Sequence, residues 1–424
     1  MYRRVVASCL MAWFVTSVLS GCGAIGVPRP QFRVIATHAA PARVLNRFDN
    51  LAPNHVITWA WVEQGGRVSP TQAAPYLDWA VVNNPDANAF SAAGIKTVLY
   101  TDPNRTYPGQ PMYTNDESTF AHDCAGRRIT IKGRPGPTYQ MDPSSPDLLQ
   151  LWAGWVNWEL NGVHYDAIFD DDANSIHNTS APPCGFNQIA WSRASNTMNE
   201  NLGMDIVYNG LGTLGNGINK PPPAIQLNPS TIGGMLEGCY NNITIVDPVP
   251  TKAVWHNFET TELKMSMVEK PFVCRGLKET PGQTSYASRI YQYASFLLTY
   301  DPASSIISEK FATPSDISVF PEQTLVALDP LIQSPQGVDE LKISTWMYGR
   351  QYAACYVWGV SIGACAAVVN ADNRSKAHPF PWPGVYSRTL VLHGAGILDG
   401  GSMSVNGPAP STVVSGASAI IAIQ

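Results

Sequence analysis

Three aspartates in a row, Asp170, Asp171 and Asp172, close the stretch YDAIFDDDAN. Adjacent carboxylates repel, and each must be solvated, paired or protonated. A surface loop or a helix N-terminus would tolerate them, since Asp favours both. The residues just before them, Ala167, Ile168 and Phe169, call for burial, so the chain leaves a core directly into the acids. Another acid, Glu237, closes the apolar run IGGMLEGC. Two carboxyl groups flanking one bond can cleave a glycosidic linkage. One, protonated, assists the leaving oxygen, while the other attacks or activates water. A crowd of carboxylates also helps to keep one of them protonated near neutral pH.

Such acids need a frame. Eight short apolar runs read as strands: HVITWAWV (55–62), KTVLYTD (96–102), TYQMD (138–142), DAIFDDD (166–172), DIVYNG (205–210), IGGMLEGC (232–239), PFVCRG (271–276) and SSIISEK (304–310). Most alternate with helical stretches. PTQAAPYLDWAVV follows the first run, and SPDLLQLWAGWVNWEL (145–160) repeats its apolar residues at helical spacing. Strand–helix alternation argues for parallel strands, and eight units argue for a closed (β/α)8 TIM barrel over residues 51–330. An open doubly wound sheet competes, but no GxGxxG or GxxxxGK[ST] follows any strand. From about residue 331 to 424 the chain turns to strand-like runs broken by Gly, Pro and Asn-Gly, which predicts a C-terminal antiparallel β-sandwich domain. The boundary falls in PLIQSPQGVDELK (330–342).

In such barrels chemistry sits at the carboxyl ends of the strands. Those ends carry Trp61, Asp102, Asp142, Asp170 to Asp172, Asn209, Glu237, Arg275 and Glu309. The fourth and sixth strands lie two apart, roughly 10 Å between Cα atoms, so their acids can converge on one bond. Strand alternation puts Asp170 and Asp172 on one face and Asp171 on the other, so only one set points inward. Trp59 and Trp61 could form a sugar-stacking wall, with at least one of them needed for packing. Substrate contacts are expected from Asp170, Asp172, Trp59, Trp61, Asp102, Asn209, Arg275 and Glu309. Asp102 and Glu309 serve equally well in salt bridges, Asp142 suits the turn before a helix, and His164 and His256 read as structural. The three aspartates could hold Ca²⁺ but lack the spacing of a calcium loop, so no metal and no cofactor is expected. No GxSxG elbow offers a serine nucleophile.

YDAIFDDDAN resembles the strand-four signature YDGIFLDD of glycoside-hydrolase-like barrels related to the alpha-amylase and polygalactosaminidase groups. IGGMLEGCY resembles their strand-six signature, and MDPSSPDLLQLWAGWVNWEL and YQYASFLLTYDP fit the same pattern. The resemblance covers about residues 50–330, and the β domain after the barrel matches too. It implies that Asp171 is the strand-four acid and Glu237 the strand-six acid, the catalytic pair, with Glu237 the general acid. Asp170 stands where the family carries an apolar residue, and Ala167 where it carries Gly. The function so implied is hydrolysis of O-glycosidic bonds in an oligosaccharide or polysaccharide by a monomer. The alternatives are an inactive, carbohydrate-binding or structural envelope protein, and a hydrolase using a metal at the aspartate cluster.

Compartment follows from the N-terminus. MYRR and the apolar VVASCLMAWFVTSVLS have the charge and length of a signal peptide (1–21), and a tether follows over 22–50. LSGC, Leu19 to Cys22, resembles a bacterial lipobox. That implies lipidation of Cys22 and a membrane-anchored protein of the bacterial envelope, with the outer membrane favoured because Gly23 is not Asp. Six cysteines remain in the body of the chain, and an even number outside the cytoplasm suggests disulfides. Fifteen connectivities are possible. The neighbour pairings are Cys124 with Cys184, Cys239 with Cys274, and Cys355 with Cys365, the last across a hairpin. No CxxC suggests zinc. Charged residues are only 14% of the chain and the net charge is −5, with no basic run, which argues against nucleic acid as a partner.

Overall fold

The computed structural model describes residues 54–62, 68–134, 136–174, 176, 179–211, 228, 231–240, 251–276, 285–308, 317, 319–372, 377–413 and 418–424. Cys22, the signal and tether segments, and Glu309 lie outside these residues. No helix among the described residues is long and apolar enough to cross a membrane.

Eight parallel strands close into a barrel. They are β1 (Ile57–Trp61), β2 (Trp79–Val81), β3 (Lys96–Thr101), β4 (Ala167–Asp170), β5 (Ile206–Asn209), β6 (Gly233–Glu237), β7 (Phe272–Arg275) and β8 (Ser305–Ser308). Each pairs with its neighbours in chain order, and β8 returns to β1. Among the described residues, five helices of two turns or more belong to the barrel: α1 (Asn84–Ala92), α2 (Pro146–Glu159), α3 (Gln188–Leu202), α4 (Lys252–Met267) and α5 (Ser285–Thr299). Their starts follow from local chemistry. In α2 the Ser145 hydroxyl accepts from the Leu148 amide and Pro146 opens the first turn; in α3 Asn187 caps the Ala190 amide.

Two of the expected strands need correction. KTVLYTD is the third barrel strand, because Trp79–Val81 supplies the second from inside a stretch that reads as helical. Three buried residues give a periodicity argument too little to separate strand from helix, and only the single turn Pro70–Ala73 is helical there. TYQMD is not in the barrel. Its Tyr139–Gln140 pairs antiparallel with Arg105–Thr106, a two-stranded piece in the excursion between β3 and α2. The two errors cancel in the count, so β4 and β6 keep their places as fourth and sixth strands.

Alternation along the strands sorts side chains into two cores. Inside the barrel lie Trp59, Trp79, Val98, Phe169, Val207, Met235, Val273 and Ile306, while Ala60, Leu99, Ile168, Ile206 and Leu236 face the helices. Close approach makes demands too. A Cβ on Gly234 of β6 would sit 2.8 Å from side-chain carbons of both Leu211 and Tyr208, so only glycine lets β6 lie there.

A six-stranded antiparallel sheet follows the barrel: β9 (Leu325–Pro330), β10 (Met347–Val357), β11 (Val360–Asn370), β12 (Arg388–His393), β13 (Ser402–Gly407) and β14 (Ser418–Ile423), in the spatial order β9-β10-β11-β14-β12-β13. One face joins the core that includes α5. The other packs Met347, Ala366, Val368 and Ala422 against Phe380 and Tyr386, beside the short pair His378–Pro379 and Thr412–Val413. The three neighbour pairings of cysteines are formed, Cys124–Cys184, Cys239–Cys274 and Cys355–Cys365.

Candidate active site

The inward parity that buries Phe169 in β4 carries Asp171 to the barrel mouth. Asp171 follows the last strand residue and keeps its register, its amide donating to the Thr101 carbonyl at 2.9 Å. The same parity in β5, β6 and β7 brings Asn209, Glu237 and Arg275 to the same rim, each two residues beyond an interior side chain. Asn209 Nδ2 donates to Asp171 Oδ1 at 2.8 Å and to Glu237 Oε2 at 3.2 Å. Carboxylates only accept, so the amide nitrogen must face both. These two acid oxygens are therefore no more than about 6 Å apart, the combined length of the two bonds.

Asp171 collects further donors. The Tyr100 hydroxyl donates to its Oδ2 at 2.6 Å, and the Asp172 amide to its Oδ1 at 2.9 Å. Burial and the charges of Asp171 and Asp102 hold the Tyr100 phenol far above its ordinary range, so it stays a neutral donor. Arg275 lies with its guanidinium carbon 4.0 Å from the Trp61 ring centroid, so one face of that indole is already covered. Burial lowers the Arg275 pKa, but a guanidinium remains charged.

Beside the pair, one cation serves three acids. Arg105 Nε bonds Asp102 and lies 2.8 Å from Asp172, and its Nη2 is 3.9 Å from Asp171. Burial works against the Arg105 charge, but Asp102 and Asp172 outweigh it and raise the pKa. Burial and then the charge of Asp172 push Asp102 well up. Asp172 rises to about 6 through burial and Asp171, against the pull of Arg105 and Arg134. Oxygens of Asp102, Asp171 and Asp172 lie within 4.8 Å of one another, close enough to share a metal ion. A guanidinium already stands among them, however, and supplies the positive charge that a metal would bring.

Several expected contacts are relocated. Asp170 does not face the mouth: it is fully buried on the helix side, accepting from Asn104 Nδ2 and Asn199 Nδ2 at 2.7 Å each. Burial raises its pKa to about 7 against those two bonds. Asp172 does not share its face, because the strand ends at Asp170 and Asp172 turns at φ 53°. Trp59 is barrel packing, 1% exposed and stacked on Trp79, which leaves Trp61 alone at the mouth. Asp102 is an ion-pair partner, and Asp142 caps its own turn through the Ser144 amide. His164 and His256 lie beside Asp166 and Asp339, away from the mouth. Tyr100 and Arg105 are contributors that the reading of strand ends passes over. Alternation from Val98 would have found Tyr100, whereas nothing local marks Arg105.

No described protein family matches the chain, and no curated protein does. Solved structures are similar at low identity. The glycoside hydrolase domain of PelA from Pseudomonas aeruginosa is 12% identical over 61% of this chain and 95% of its own, with a TM-score of 0.38. The alpha-galactosidase TtGalA from Thermus thermophilus, in complex with stachyose, is 14% identical over 66% of each chain, with a TM-score of 0.42. The maltogenic alpha-amylase AmyB from Thermotoga neapolitana is 7% identical over 88% of this chain and 99% of its own, with a TM-score of 0.41.

Proposed function

We propose that this protein is a glycoside hydrolase that cleaves O-glycosidic bonds at the mouth of its barrel. The observation that carries the reading is the Asn209 amide held between Asp171 and Glu237. Two carboxyl groups about 5–5.5 Å apart suit a retaining double displacement, whereas inversion needs about 6.5–9.5 Å to admit water. The shared donor limits the nearer oxygens of this pair to about 6 Å, below the inverting range, which favours retention. Asp171 is assigned as the nucleophile, since the donors from Tyr100, Asn209 and the Asp172 amide suit an ionised, fixed carboxylate. Glu237 accepts only the Asn209 bond among the described residues and is assigned as the general acid. In the first step Glu237 protonates the leaving oxygen while Asp171 attacks the anomeric carbon. In the second, Glu237 takes a proton from water, which displaces Asp171 and restores the starting anomer. Arg105 and Arg275 keep the acid-rich mouth from excess negative charge.

The test is glycan hydrolysis by wild type, Asp171→Asn and Glu237→Gln, with the product anomer followed by proton NMR. Both variants should fold as wild type and lose turnover by about 10²–10⁴-fold. Undiminished turnover in either would reject the assignment, and an inverted first product would reject Asp171 as nucleophile. By the same proposal the enzyme works in the bacterial envelope, tethered through Cys22. Cys22→Ser should then move it from the membrane fraction to the soluble one or leave its precursor uncleaved, and an unchanged membrane fraction would reject the anchor.

A further inference from the structure

A cleft of about 710 Å³ starts at the rim of the mouth and descends between α1 and α2. It begins at Tyr100, Asp102 and Arg105, so it shares its upper wall with the candidate active site. Its lower wall is Trp155 and Trp158, three apart on α2 and therefore on one helix face. A second hollow of about 500 Å³ opens on the other side of the same two tryptophans, toward Asp116 and Asp147. The indoles thus form a ridge between two depressions, the larger of which is continuous with the mouth.

The exposure on this ridge has no packing explanation. Trp158 is 69% exposed, the most exposed of the large hydrophobic side chains among the described residues, and Tyr107 across the cleft is 47% exposed. A large ring left in water costs stability that burial would recover, so a ligand that covers it binds with that gain. Around the rings the lining is polar, with the amides of Asn83, Asn84 and Gln110 and the carboxylates of Asp102 and Glu159. Flat apolar rings set among hydrogen-bonding groups match a pyranose, which has an apolar C–H face and a hydroxyl edge. An apolar protein helix or a lipid tail would leave those polar groups unpaired.

We infer that the α1–α2 cleft is a glycan-binding subsite, which holds sugar units of a chain whose scissile bond lies between Asp171 and Glu237. Trp158 is the stacking platform and Tyr107 the opposite wall. The inference deepens the proposed activity and rests on it for the class of ligand. It makes the substrate a polymer or long oligosaccharide, since units must extend from the mouth to α2.

Affinity electrophoresis of the full-length protein through gels containing amylopectin, galactomannan or chitosan tests the inference by binding alone. Glu237→Gln serves as the background, so that the probes survive. This protein should be retarded by at least one polymer. Adding Trp158→Ala should weaken that retardation about tenfold, the equivalent of about 1.4 kcal/mol, while Trp158→Phe keeps most of it. Trp158 is exposed, so neither change threatens folding. Equal retardation with and without Trp158 overturns the subsite, as does the absence of retardation by all three polymers. Neither result touches the hydrolase proposal, which stands or falls on turnover and its loss in Asp171→Asn.

Discussion

Asp170 and Asp171 are chemical twins with opposite surroundings. Asp171 has access to the mouth, while Asp170 is sealed between Asn104 and Asn199. Burial binds the Asp170 proton more tightly in the folded state, about 7 against an ordinary 3.8. Its contribution to stability is therefore complete below about pH 4 and is lost as pH rises through about 7. Asp170→Asn removes the titration but also one acceptor oxygen, leaving two amide donors to share the other. The variant should be less stable than wild type near pH 5, by roughly 1–2 kcal/mol, with the gap closing or reversing by pH 8. Melting curves of both proteins across that range check this, and parallel curves would mean that Asp170 does not titrate there.

Among the elements, β6 and β7 deserve a test because both carry mouth residues. Cys239, two residues after Glu237, is joined to Cys274, next to Arg275, closing a segment with a sequence separation of 35. Chain-entropy arguments give about 3–4 kcal/mol for a loop of that length. Cys239→Ala with Cys274→Ala should lower the melting temperature and the turnover together, because the same link holds the end of β6 beside β7. Thiol reductant should lower the melting temperature of wild type more than that of the double variant. An equal response would place the sensitivity in the other two disulfides.

At the scale of the molecule, the barrel and the antiparallel sheet are fastened through α5. Tyr293 and Leu297 share one core with Leu325, Tyr352 and Ile421. Arg350 of β10 donates to the Leu298 and Tyr300 carbonyls at 3.1 and 3.2 Å, satisfying acceptors around the end of α5 with a cation. Arg289 of α5 grips Glu322 through two hydrogen bonds, with both side chains almost wholly buried, and also donates to the Gly394 carbonyl at 3.0 Å. Removing one partner of such a pair strands the other charge and costs about 3–5 kcal/mol. Glu322→Gln should therefore lower the stability of barrel and sheet together, in one calorimetric transition. Two separated transitions would show that the sheet is an independent domain.

Patterns within a few residues were enough for much of this. Strand–helix alternation determined a barrel with a β domain after it, and an apolar run leading into acids located the fourth and sixth strand ends. Parity separated Asp171 from its two neighbours, because side-chain direction in a strand is a local property, and the resemblance of YDAIFDDD to the strand-four signature chose Asp171 as the inward one. The three disulfides also followed chain order. What local pattern could not supply was pairing between distant segments. Trp79–Val81 is a strand because β1 and β3 flank it, and TYQMD is excluded because Arg105–Thr106 claims its hydrogen bonds. Asp170 is sealed by amides 66 and 29 residues away, and Asp172 meets Arg105 only after an excursion of more than 60 residues has returned to the rim. Closure of the barrel brings these groups together. Charge neutralisation and hydrogen-bond satisfaction are then decided by neighbours in space, which only the tertiary structure supplies.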